Sequence, residues 1–81
     1  MDLHAKIRSK HQYLTAQEIT SVDLVLKALD ACERIGYGLD DVWVEYNVPT
    51  VYGTEGHRIT ESAKEFKFRA KILRAQEKAW G

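Results

Sequence analysis

Two stretches of the chain repeat apolar residues at helical spacing. Val22, Val25, Leu26, Leu29 and Cys32 recur every three or four positions, with Leu24, Ala28, Ala31 and Ile35 roughly opposite. The narrow polar strip between them, Asp23, Lys27, Asp30 and Arg34, holds two acid-before-base pairs at i,i+4 spacing. Thr15-Ala16-Gln17-Glu18 reads as a capping box and Gly36 supplies a left-handed C′ position, so the pattern predicts a helix over 16–35. Ser62-Ala63-Lys64-Glu65 is a second capping box and opens a helix predicted over 62–80. On that helix Ala63, Phe66, Ala70, Leu73 and Trp80 make one apolar face, and Phe68, Ile72, Ala75 and Ala79 make another. A shorter helix is predicted over 2–13, with Leu3, Ile7 and Leu14 on one side and Lys6, Arg8, Lys10 and His11 elsewhere.

Residues 37–60 fit neither period cleanly. Asp40 and Asp41 could cap a short helix, yet Val42, Trp43, Val44, Tyr46 and Val48 are β-branched or aromatic and alternate with Glu45 and Asn47 as in a strand. Pro49-Thr50 reads as a turn, and Gly53 and Gly56 interrupt the residues beyond it, which leaves an irregular segment or a short β-hairpin. The run from Leu39 to Tyr52 resembles the turn and recognition start of helix-turn-helix DNA-binding proteins. It departs from them at Trp43, where two crossing helices need a small residue, and at Gly53, where the reading helix buries an apolar one. The expected fold is mainly α: one domain over 1–81, built from about three helices.

Composition narrows the classes of function. The longest apolar runs, Leu24–Leu26 and Val42–Val44, are three residues long, against the roughly 20 that span a bilayer. The polar, basic N-terminus lacks a signal-peptide core. The expectation is a soluble protein of the cytoplasm with no membrane contact. A single cysteine, Cys32, closes no disulfide within the chain and builds no cysteine zinc site. Net charge is zero but segregated: residues 1–14 carry +2, 15–48 carry −5, and 61–81 carry +3. Either the basic ends fold against the acidic middle or pair with it in a second chain, or a basic end is a docking surface.

Motifs for catalysis are sparse. Gly36-Tyr37-Gly38 lacks the third glycine of a dinucleotide turn, no phosphate loop or nucleophile elbow is present, and His4, His11 and His57 have no metal-ligand spacing. Asp40, Asp41 and Glu45 are close in sequence and could bind a hard cation, but they fit better as negative charge at a helix start. No cofactor, metal site or enzymatic activity is expected. The distinctive feature is a row of cations at spacings of three and four, Lys64, Lys67, Lys71, Arg74 and Lys78, unbroken by an acid. Trp43, Tyr46 and Tyr52, with Tyr37, form a candidate aromatic interface. These readings favour a non-enzymatic regulator, inhibitor or accessory protein that binds another protein. Surplus apolar helix surface also suggests a homodimer. The alternative is a nucleic-acid binder that uses the basic stripe, aided by Lys6, Arg8 and Lys10.

Overall fold

Leu3, Ala5 and Ile7 are fully buried and alternate with the outward His4, Lys6 and Arg8, and this period of two makes Ala5–Ser9 a strand, β1, where a helix is predicted. The computed structural model describes residues 3–48 and 57–80. After Ser9 the chain doubles back along the free edge of β1. The Leu14 N–H donates to the Ile7 carbonyl at 2.8 Å, and Ile19 and Ala5 exchange both backbone bonds at 2.8 and 2.9 Å. Thr15 is drawn into this pairing, its Oγ1 accepting from the Ile7 N–H at 3.1 Å. The capping box at 15–18 therefore starts no helix.

Helix α1 instead spans Val22–Arg34. Ser21 is its N-cap, with its hydroxyl accepting from the Leu24 N–H at 3.4 Å, and the Glu77 carboxylate takes the Val22 N–H at 2.9 Å. Its C-terminal end is as the sequence predicts: Gly36 adopts a φ of 108°, a region closed to most side chains. The uncertain middle resolves into strands β2, Val42–Val48, and β3, His57–Ser62. The Pro49-Thr50 turn, Tyr52, Gly53 and Gly56 lie outside the described residues. Helix α2, Ala63–Trp80, comes directly after β3, and the Ser62 hydroxyl accepts from the Glu65 N–H at 3.2 Å as its cap.

The three strands form one antiparallel sheet in the order β1-β2-β3, and the mainly α, three-helix expectation is overturned in favour of an α+β fold. The likeness to helix-turn-helix proteins falls with it, since Val42–Val48 is a central strand. Both helices cover a single face of the sheet. They run antiparallel, as the ion pairs Asp23–Arg74 and Asp30–Lys67 require. Val22, Val25 and Leu29 of α1 and Ala63, Phe66, Ala70 and Leu73 of α2 close over Ala5, Ile7, Val42, Val44 and Tyr46. Tyr46 meets Phe66 edge to face, with centroids 5.4 Å apart at 78°. Its hydroxyl donates to Glu61 Oε1 at 2.7 Å, and Arg69 Nε stands 3.4 Å from Glu61 Oε2. Burial first, and then the Glu61 carboxylate, push the Tyr46 hydroxyl far above the ordinary tyrosine pKa. Among the described residues, no helix is long and apolar enough to cross a membrane.

Candidate binding surface on the open sheet face

A strand sends alternate side chains to opposite faces, so the residues between the core positions form a second surface that neither helix covers. The strand register arranges it in rows. Arg8, Trp43 and Ser62 stand side by side, then Lys6, Glu45 and Thr60, and then Asn47 and Arg58 beside His4. At about 3.4 Å per residue and about 4.8 Å between strands, the rows cover roughly 14 by 10 Å. Lys10 extends the surface beyond β1, where it lines a recess of about 240 Å³ with Arg8, Trp43 and Thr60.

Glu45 organises this face. It is only 9% exposed, and all of its described partners come from neighbouring segments: Arg8 Nη1 donates to Oε1 at 3.0 Å, the Tyr13 hydroxyl donates to Oε2 at 2.9 Å, and Arg58 Nη2 lies 3.8 Å from Oε2. Burial pushes its carboxyl upward, but the Tyr13 and Arg8 hydrogen bonds and the two guanidinium charges outweigh that and hold it below the ordinary carboxylate value. Tyr13 moves the other way, raised by donating to an anion. Its ring lies over the face from the returning loop, 5.4 Å from the Lys6 ammonium and 5.8 Å from the Arg8 guanidinium. Two cations, Arg8 and Arg58, thus hold the Glu45 carboxylate, Lys6 and Lys10 add two more to the face, and Glu18 meets His4 at its far edge at 2.6 Å, with Trp43 half-buried and Tyr13 54% exposed on the same side.

The basic stripe predicted on the C-terminal helix does lie along α2, but its members differ. Lys67 Nζ stands 3.4 Å from Asp30 and 3.5 Å from Glu33, and Arg74 pairs with Asp23. Lys64, Lys71 and Lys78 are exposed and enter none of the ion pairs among the described residues. The helix's second apolar face is open: Phe68 is 94% and Ile72 61% exposed, beside a groove of about 930 Å³ that Ile59 and Leu73 also line.

Two members of the predicted aromatic interface are placed on opposite faces of the sheet. Trp43 and Tyr46 are an odd number of positions apart on one strand, so Trp43 faces the open surface and Tyr46 the core; Tyr52 lies outside the described residues. Asp40 and Asp41 precede β2 on an exposed turn while Glu45 is held by Arg8, Arg58 and Tyr13, so these three carboxylates form no common cation site. Among the described residues, no group of three or more His, Cys, Asp and Glu side chains is placed to hold a metal ion. Cys32 is half-buried on α1, and burial raises its thiol pKa. Sequence reasoning did not find Glu45, Tyr13, Arg58 and Thr60 as parts of one surface. The alternation of Lys6, Arg8 and Lys10 with Ala5, Ile7 and Ser9 was the signal that pointed to it. No family model matches this chain, and no curated protein or solved structure is detectably similar to it.

Proposed function

We propose that the protein is a small non-enzymatic binding module, a regulator, inhibitor or accessory protein, and that its recognition surface is the open face of the sheet. The observation that carries this reading is the sheet face that neither helix covers, on which Arg8 and Arg58 are held by the Glu45 carboxylate and Lys6 and Lys10 add two further cations. A charged surface of this kind selects an anionic macromolecule and steers its approach. Glu45, bonded by Arg8 and Tyr13 and facing Arg58, serves this face as the anchor that fixes its cations.

The test is capture of bound material from cell lysate by the wild-type chain and by a variant carrying Lys10→Glu and Arg58→Glu, with and without nuclease, at low and high salt. Material held by the wild type and lost by the variant supports the sheet face. Identical capture by both overturns it, and a turnover activity abolished by one polar substitution overturns the non-enzymatic reading. A second reading, a protein partner seated on the outer side of α2, is favoured by the exposure of Phe68 and Ile72. It predicts capture that survives both treatments and is lost in Phe68→Ala.

A further inference from the structure

Resting on the sheet-face reading, we infer that the ligand of this face is single-stranded nucleic acid, with Trp43 as a stacking platform for a base and Lys10, Arg8 and Arg58 along the phosphates. Charge selects the class: Lys6, Arg8, Lys10 and Arg58 outnumber the two carboxylates of this side, Glu45 and, at its His4 edge, Glu18, and the cationic excess matches a polyanion. The aromatic residues select its form. Trp43 offers ring surface on an otherwise polar sheet, and the 54% exposed Tyr13 ring, met by Lys6 and Arg8, lies over it from the returning loop; unstacked bases use such surfaces whereas the stacked bases of a duplex are closed to them. The recess beside Trp43, bounded by Arg8, Lys10 and the Thr60 hydroxyl, has room for one base with hydrogen-bond donors at its rim. Two or three nucleotides fit the length of the three rows.

Shape argues against the other polyanions. Among the described residues, this three-stranded face projects no helix or ribbon that could enter a duplex groove. A protein partner would find little apolar area to bury, because the outward positions other than Trp43 and Tyr13 are polar or charged. The α2 stripe differs in its balance and its surroundings: Lys67 and Arg74 meet three carboxylates of α1, whereas Arg8 and Arg58 share the single carboxylate of Glu45, and Arg8 stands beside Trp43 in the strand register.

The experiment is fluorescence anisotropy with labelled oligo-uridine and oligo-deoxyuridine of about ten nucleotides, a duplex of equal length, and heparin as a competitor that carries charge but no bases. The expected result is single strands bound in preference to duplex. The logarithm of affinity should fall with that of salt at a slope of about −2 to −3, as three or four phosphate contacts on a single strand give. Trp43→Ala should weaken binding roughly 5- to 150-fold, the range of one lost base stack, with the salt slope unchanged. Trp43→Phe should restore most of it. Lys10→Glu, at an exposed position beyond β1 where folding is little affected, should reduce both affinity and slope. A preference for oligo-uridine over oligo-deoxyuridine, which differs from it only in the 2′-hydroxyl, would assign the ligand as RNA, and equal binding would assign any single strand. Equal affinity for duplex, or binding indifferent to both Trp43 variants and to Lys10→Glu, would overturn the inference. Absence of binding to every oligonucleotide would also overturn it, while lysate capture that still depends on Lys10 and Arg58 would leave the broader sheet-face reading standing with an acidic protein as its partner.

Discussion

Two carboxylates sit on opposite faces of the same sheet, each held by a tyrosine hydroxyl and by arginine. On the covered face Glu61 accepts from Tyr46 and meets Arg69, one anion for one cation, beneath α2. On the open face Glu45 accepts from Tyr13 and meets both Arg8 and Arg58, with Lys6 and Lys10 nearby. The same chemical unit serves different ends. Glu61 satisfies a phenol that would otherwise be buried without a partner, whereas Glu45 fixes the geometry of a surface whose charge it only partly cancels. An excess of cations held in place by one anion is stable only where solvent or a ligand supplies the remaining screening.

The covered side should respond most strongly. Phe66 is fully buried and Phe68 is 94% exposed on the same helix. Phe66→Ala should destabilise the fold by about 3–5 kcal/mol, and Phe68→Ala by no more than about 0.5 kcal/mol, read from urea unfolding. A large loss for Phe68→Ala would mean that the outer side of α2 is covered in solution, as in a dimer. Next come the two carboxylates. Glu61→Ala strands the Tyr46 hydroxyl in the core and should cost about 2–3 kcal/mol; Glu45→Ala leaves donors that can turn to water and should cost about 1 kcal/mol. Equal losses would show that the open face is as closed to water as the core, which would count against its use as a binding surface.

The two faces also differ in how far the sequence disclosed them. Leu3 and Ile7 are four residues apart, a spacing that helix and strand share, so only Ala5 between them distinguishes the two, and alanine suits either. The Thr15–Glu18 capping box has every local feature of a helix start, but backbone pairing with β1 takes Thr15 instead, a long-range interaction that no local motif encodes. Gly36 and the Ser62 cap were legible because their geometry is settled within one turn of chain. The charge segregation pointed to basic ends folding on an acidic middle, and Lys67 and Arg74 do meet Glu33, Asp30 and Asp23. The open face depends on the register of three strands, which brings Arg8, Trp43 and Ser62 into one row from distant parts of the chain.

The two faces should also part under titration. Glu45 has a depressed pKa in the folded state, so its contribution to stability is present above the unfolded value of about 4.3 and is lost as pH falls through the lower folded value. Tyr46 is raised, so its contribution is present below about 10 and is lost as pH rises beyond that. Unfolding midpoints measured from pH 2 to 7 should fall less steeply in Glu45→Gln than in wild type, and those from pH 8 to 11 less steeply in Tyr46→Phe. If Glu45→Gln left the acid limb unchanged, the Arg8, Arg58 and Tyr13 cluster would not be holding that carboxylate ionised.

The smallest effect decides whether the α2 stripe competes with the sheet face. Lys67 is 30% exposed and Asp30 58%, a partly solvated pair in which Coulomb attraction, side-chain entropy and screening nearly cancel. A double-mutant cycle of Asp30→Ala and Lys67→Ala should give a coupling of about 0.2–1 kcal/mol that shrinks as salt rises from about 0.05 to 1 M. Glu33, at 3.5 Å from the same ammonium, is left in place in every arm, so the cycle reports the Asp30 contact alone. Measurable coupling means that α1 occupies the middle of the stripe and that a polyanion must displace Asp30 before Lys67 can serve it. Zero coupling at low salt would return Lys67 to the row of Lys64, Lys71 and Lys78, and the stripe would then rival the open sheet face as a cationic surface.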